Sequence, residues 1–237
     1  MTNGACCNEM DIWEANSAAT AFTPHPCNIT GVYSCQGTKC GSGAANHYAG
    51  VCDEDGCDYN AYRLGNHNFY GPGKAVDTRK PFTVVTQFVT SDGTDKGTLS
   101  SINRIYVQGG KVIRNAPVHI PGMAVQNNID AKFCASEKKV LGGTDAFTNR
   151  GGMSTIGHAL GRGMVLIFSI WMDSGSGMQW LDAPYPATAN ASAPGVARGP
   201  CSATSGNTTM LTDTYPNAAV TFSNIKVGEL GSTYGGR

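Results

Sequence analysis

Glu9-Met10-Asp11-Ile12-Trp13-Glu14 mixes three carboxylates with three large apolar side chains over six residues. Wound as an α-helix, Glu9 and Glu14 would point about 140° apart and could not serve one substrate. Extended, Glu9, Asp11 and Trp13 share a face and Glu14 falls on the other. One extra residue, a β-bulge between Asp11 and Glu14, returns Glu14 to the face of Glu9 and Asp11. The stretch is therefore read as a bulged strand. The competing reading is an edge strand that carries ordinary surface acids.

The bulged strand has chemical consequences. At about 3.3 Å per residue the two Glu backbones stand about 13 Å apart, and side chains leaning inward by about 4 Å bring the carboxyls to about 5–6 Å. That agrees with the roughly 5–5.5 Å used to cleave a glycosidic bond with retention and not with the roughly 6.5–9.5 Å of inversion. Asp11 lies between them, within hydrogen-bond reach of one carboxylate. Crowding three acids splits their pKa values, leaving one ionised as nucleophile and one protonated as acid.

Outward from this strand, the 237 residues carry 17 basic and 17 acidic side chains, no net charge and no basic run. That balance excludes nucleic acid or an anionic membrane surface as main partner. Charged residues are 14% and hydrophobic ones 41%, which excludes charge-driven disorder. The longest apolar stretch, residues 164–172, falls well short of the roughly 20 residues of a membrane helix. With 31 Gly and 11 Pro the composition favours a loop-rich β protein. Strands are expected over 81–90 (PFTVVTQFVT), 163–171 and 219–227, the last two buried, with a long loop region over 23–75. Residues 102–108 and 111–114 flank Gly109-Gly110, a hairpin with a primed turn. Residues 130–141 suit a short helix capped by Asp130, with Gly142 beyond its end. Strands joined by long loops with little helix make an antiparallel sandwich. No G-x-S-x-G, H-E-x-x-H, Walker loop or complete EF-hand occurs.

Seven of the nine cysteines fall within the first 57 residues, the density of a disulfide scaffold. Cys35-x4-Cys40 and Cys52-x4-Cys57 also sit at the upper end of zinc-ligand spacing, so a zinc-stabilised domain is the alternative; context favours disulfides and an oxidising, extracellular setting. Three sequons, at Asn28, Asn190 and Asn207, carry no weight for glycosylation, since chance gives about as many. The first seven residues lack a signal-peptide pattern, and the thiol count is odd. Both lead to the expectation that the chain begins inside a larger domain.

Cys6-Cys7-Asn8-Glu9-Met10-Asp11-Ile12-Trp13-Glu14-Ala15-Asn16-Ser17 resembles the signature of the family 7 glycoside hydrolases, cellobiohydrolases and endoglucanases. Thr23-Pro24-His25-Pro26-Cys27, Asp55-Gly56-Cys57-Asp58, Tyr62-Arg63-Leu64-Gly65-Asn66, Phe69-Tyr70-Gly71-Pro72-Gly73 and Thr221-Phe222-Ser223-Asn224-Ile225-Lys226 resemble further landmarks in family order. The resemblance covers essentially all 237 residues. It implies a concanavalin-like antiparallel β-sandwich (jelly roll), all-β and here incomplete, with residues 1–237 forming part of one catalytic domain whose N-terminal part is missing. It implies Glu9 as nucleophile, Glu14 as acid/base and Asp11 as the acid that positions the nucleophile, in a secreted, monomeric cellulase that needs no metal or cofactor. Its substrate would be cellulose or another β-1,4-glucan.

Trp171 and Trp180 resemble the family's sugar-stacking tryptophans, although Trp171, ending an apolar stretch, is the more core-like of the two. His25 resembles the histidine near the leaving group. Tyr48, Asp55, Asp58, Tyr185 and Arg198 resemble product-site residues; a turn Asp at 55 and a surface salt bridge at Arg198 are the plainer readings. The family pairing gives Cys27–Cys52, Cys35–Cys40 and Cys57–Cys134, with Cys6, Cys7 and Cys201 pairing upstream. The chain departs from the pattern at His47, where many cellobiohydrolases carry Arg before the loop tyrosine. It also departs at residues 172–177, which lack aromatics. Residues 41–50 keep most of a covering loop, which leans the reading toward a cellobiohydrolase. An endoglucanase of the family and a non-catalytic carbohydrate-binding module on the same fold are the alternatives.

Overall fold

The computed structural model describes residues 3–36 and 47–235. Its strands are β1 (Asn3–Cys6), β2 (Glu9–Ala15), β3 (Thr20–His25), β4 (Tyr33–Gln36), β5 (Tyr70–Gly71), β6 (Val76–Asp77), β7 (Thr83–Thr90), β8 (Leu99–Gln108), β9 (Lys111–Arg114) and β10 (Asn128–Ile129). The helices are α1 (Ala131–Leu141), α2 (Ala146–Asn149), α3 (Gly152–Arg162), α4 (Gln179–Asp182) and α5 (Thr208–Thr214).

The largest sheet is antiparallel in the order β10-β8-β7, and β9 also pairs with β8. Gly109 and Gly110 turn β8 into β9 with φ of 56° and 75°. Both angles are left-handed, which a primed turn needs and glycine alone adopts without strain. Period two turns Ile102, Arg104 and Tyr106 of β8 inward, each no more than 2% exposed. Against this face lies the β2–β3 hairpin. Met10 and Phe22 pack with Ile102, Ile129, Phe133 and Ile156, while Trp13 and Ala15 pack with Phe69, Tyr70, Val76 and Tyr106. Each fully buried isoleucine contributes about 1.5–3 kcal/mol of transfer free energy. Two layers thus enclose one core, an all-β sandwich in which β2 has its inner side on the core and its outer side free for chemistry.

Helix α1 starts where Asp130 accepts the Phe133 N–H at 2.7 Å, and it ends at Gly142 with φ of 87°. Lys138 and Lys139 occupy its last turn, where the helix dipole favours cations. Disulfides join Cys27 to Cys52 and Cys57 to Cys134. Cys52 and Cys57 therefore belong to different bridges, which removes the zinc alternative for that pair. Cys40 lies outside the described residues, so the Cys35–Cys40 pairing is not described; Cys35 is itself disulfide-bonded. Cys6, Cys7 and Cys201 carry free thiols.

Four expectations are corrected. Residues 163–171 and 219–227 form no strand and are exposed, with Val165 at 86% and Val227 at 96%. Their composition is that of buried strands, but no described residue offers either of them a ladder partner, and an extended chain without one is not a sheet. Trp171 accordingly lies 54% exposed and is no core residue. The 23–75 region is not all loop: it takes in the end of β3, all of β4, β5 and the start of the parallel β5–β6 pair. Finally, α3 was hidden by its glycines. A Cβ at Gly157 would stand 2.8 Å from the Leu99 Cβ, so glycine there trades helix propensity for a close approach to β8.

Candidate active site

The β2–β3 register pairs Glu9 with His25, Met10 with Pro24, Asp11 with Thr23, Glu14 with Ala21 and Ala15 with Thr20, slipping between Asp11 and Glu14. Ile12 and Trp13 together oppose the single residue Phe22, which is the two-against-one count of a bulge. The slip exchanges two side chains. Trp13 turns to the core, edge-on to Phe82 with ring centroids 6.1 Å apart. Glu14 moves to the side of Glu9 and Asp11, and all three line one broad open cleft.

A single chain of contacts orders these acids. Glu9 and Asp11 share a side-chain hydrogen bond. Asp11 Oδ2 meets His25 Nε2 at 2.9 Å, and His25 Nδ1 meets the Asp53 carbonyl oxygen at 2.8 Å. The Thr23 hydroxyl donates to Glu14 Oε2 at 3.5 Å. Gly56 closes on the back of the imidazole: a Cβ there would lie 2.7 Å from His25 Cε1 and 2.4 Å from the Thr23 methyl. Its φ of 66° is also left-handed, so both space and backbone require glycine.

Electrostatics follow from this arrangement. Burial, then the charge of Asp11, pushes Glu14 up to about 8, with His25 opposing and Asp58 and Glu9 adding to the rise. Glu9 is also raised, first by burial and then by the charge of Asp11, while His25 pulls it back. Burial works against a charge on His25, but the hydrogen bond and charge of Asp11 outweigh it and lift the imidazole to about 9. Near neutrality the site therefore holds one imidazolium, bonded to Asp11, and a Glu14 that keeps its proton.

All the remaining binding candidates line the same cleft. Trp171 and Trp180 lie against one another, ring centroids 6.0 Å apart and planes inclined by 22°. Both Asp55 oxygens are engaged, Oδ1 by His47 Nε2 at 2.6 Å and Oδ2 by the Tyr48 hydroxyl at 2.9 Å. His47, the departure from the family pattern, thus holds an acid of the cleft wall. Arg198 is no surface salt bridge: it is half-buried, its Nη1 lies 3.5 Å from Asp58 Oδ2, and its guanidinium stands 5.5 Å from the Tyr185 ring centre.

Sequence reasoning missed the group behind Asp58. Arg63 Nη1 bonds both Asp58 and Glu137, its Nε donates to the Gly195 carbonyl at 3.1 Å, and Lys138 Nζ stands 3.9 Å from Glu137. The cations Arg63 and Arg198 hold Asp58 below the usual carboxylate range despite its burial. Fully buried Glu137 is raised to about 7, burial and Asp58 together outweighing Arg63 and Lys138. Glu137 lies 74 residues from Arg63, and no local pattern announces such a pair. Arg104 was missed as well, though it carried a signal: a lone cation in an otherwise apolar inward register.

The sequence profile of glycosyl hydrolase family 7 matches residues 1–234. A cellobiohydrolase of that family from Daphnia pulex is 47% identical with a TM-score of 0.90, over 91% of this chain and 50% of that one. An endocellulase from Humicola insolens is 40% identical with a TM-score of 0.75, over 90% of this chain and 48% of that one. A cellobiohydrolase from Melanocarpus albomyces, solved with cellotetraose, is 37% identical with a TM-score of 0.83, over 91% and 48%. The chain thus spans about half the length of these structures. Matched along nearly its whole length and in its three-dimensional course, the chain belongs to glycosyl hydrolase family 7.

Proposed function

We propose that this chain supplies the catalytic strand of a secreted cellulase that hydrolyses β-1,4-glucosidic bonds with retention. The observation that carries the reading is the bulge in β2, which sets Glu9, Asp11 and Glu14 along one cleft with Glu14 protonated up to about 8. A Glu9 carboxylate oxygen attacks C1 while the C1–O bond breaks, and its electron pair leaves on the glycosidic oxygen, which takes the Glu14 proton. Water then attacks C1; Glu14 accepts its proton and Glu9 departs as carboxylate. Asp11, anchored by His25, fixes and tunes Glu9. Trp180 and Trp171 offer apolar faces to the pyranose rings, and Asp58, Tyr185 and Arg198 offer polar groups to hydroxyls on the product side.

The higher identity and TM-score with the Daphnia pulex cellobiohydrolase than with the Humicola insolens endocellulase support exo-action. Endo-action is the second reading, favoured by the absence of aromatics from residues 172–177. The cellotetraose bound to the Melanocarpus albomyces enzyme supports a β-1,4-glucan substrate. The Cys27–Cys52 and Cys57–Cys134 disulfides support an oxidising compartment. The exposed apolar runs 163–171 and 219–227 and three free thiols support a catalytic domain in which further strands and cysteines complete this sandwich. Proton NMR of a cellooligosaccharide digest by the full-length protein tests the mechanism. The β-anomer should appear first; initial α-anomer would refute retention. Cellobiose released without loss of viscosity distinguishes exo- from endo-action.

A further inference from the structure

Arg104 sits where an apolar residue belongs. On β8 it occupies the inward register between Ile102 and Tyr106, is 2% exposed, and among the described residues is in no salt bridge, with its Nε and Nη1 buried and without a hydrogen-bond partner. A guanidinium in a sandwich core is costly unless its donors are used. Its Nη2 donates to the carbonyl of Ile12, a bulge residue for which the β2–β3 ladder provides no opposite partner. Its carbon centre lies 4.4 Å from the centre of the Phe22 ring, the single β3 residue that faces the bulge, and 5.8 Å from that of Tyr106. One side chain from the opposite sheet thus grips both halves of the irregularity, by a hydrogen bond on β2 and a cation–π contact on β3.

We propose that Arg104 is a positioning residue for Glu14: it holds the bulge open, and the bulge keeps Glu14 on the side of Glu9 and Asp11. Without the bulge, alternation would return Glu14 to the core side and Trp13 to the cleft. The inference rests on Glu14 being the general acid. Its consequence is selective. Glycosidic cleavage that needs a proton suffers when Glu14 is displaced, whereas departure of a leaving group stable as an anion does not.

The test uses the full-length protein with Arg104→Met, which keeps an apolar stem and loses every donor. Single-turnover cleavage is followed on cellotetraose and on a cellobioside whose phenolate leaves unprotonated. The cellotetraose rate should fall by about 10–100-fold, the cost of small misplacements at a reacting centre, and its alkaline limb should shift, while the phenolate rate falls by less than about threefold. Arg104→Lys, which retains one donor and the charge, should recover part of the loss and carries the same comparison should Arg104→Met not fold. Equal losses on both substrates, or none on either, overturn the proposal. Glu14→Gln run alongside separates the two claims. If Glu14→Gln leaves cellotetraose cleavage intact, the general-acid reading fails; if it shows the selective loss and neither Arg104 variant does, only the positioning role fails.

Discussion

Two groups of acids, one lining the cleft and one reaching from it into the core behind Asp58, keep opposite company. Among the described residues Glu9, Asp11 and Glu14 share a single cationic neighbour, His25, and both glutamates are raised. Asp58 and Glu137 are packed among Arg63, Arg198 and Lys138, and Asp58 is depressed. The first group is short of positive charge and so can hold and hand over a proton. The second saturates its charge and so fixes a wall: Arg63 ties Asp58 to Glu137 of α1 and to the 195 loop, which brings Arg198 over Tyr185. The lesson is that cations separate the two outcomes only where they reach the acid in strength: they depress Asp58, whereas in Glu137, as in Glu14, burial wins and the carboxyl is raised.

Replacing an acid in the first group should cost activity and leave the fold intact. Glu9→Gln should lower turnover of cellooligosaccharides by about 10³-fold or more, about 4 kcal/mol of barrier, with binding by calorimetry nearly unchanged; near-normal turnover would break the assignment. A change in the second group should do the reverse. Arg63→Met removes the cation that bridges buried Asp58 and Glu137, leaving them only the longer contacts to Arg198 and Lys138, and should destabilise the fold by about 3–5 kcal/mol in denaturant unfolding; a shift under about 1 kcal/mol would remove the distinction. The stacked pair Trp171 and Trp180 should give an intermediate effect. Trp180→Ala should raise KM up to about tenfold, the loss of about 0.5–1.5 kcal/mol of stacking, with kcat little changed.

The smallest effect sharpens the electrostatic side. Glu14 titrates at about 8 in the folded protein against an ordinary value of 4.5. The folded state therefore binds this proton more tightly, so the stabilisation is full below about 4.5 and is lost as pH rises through about 8. Glu14→Gln has no such loss. Its Tm should gain on the parent's between pH 5 and pH 8, by about 2–4 °C per kcal/mol in a chain of this size. A constant gap would mean that Glu14 is not raised.

What the sequence disclosed depended on range. The β2 bulge, the Gly109-Gly110 hairpin and the Asp130 cap are local, since a few adjacent residues carry the whole signal, and each was legible. The acid triplet was legible for the same reason. Arg63 with Glu137, and Arg104 with Ile12, meet only through the tertiary fold. Helix α3 was masked by Gly157, whose value lies in a neighbouring strand. Residues 163–171 and 219–227 show the converse: apolarity states that a segment is meant to be covered and does not name what covers it.

Gly56 makes the arrangement of the β2 acids depend on a loop that reaches them only through His25 and Thr23. A methyl group there would strike His25 and Thr23 at once, and these two side chains contact Asp11 and Glu14. At this one position the mildest mutation, Gly56→Ala, would have to displace His25 or Thr23, and with it a contact of Asp11 or Glu14.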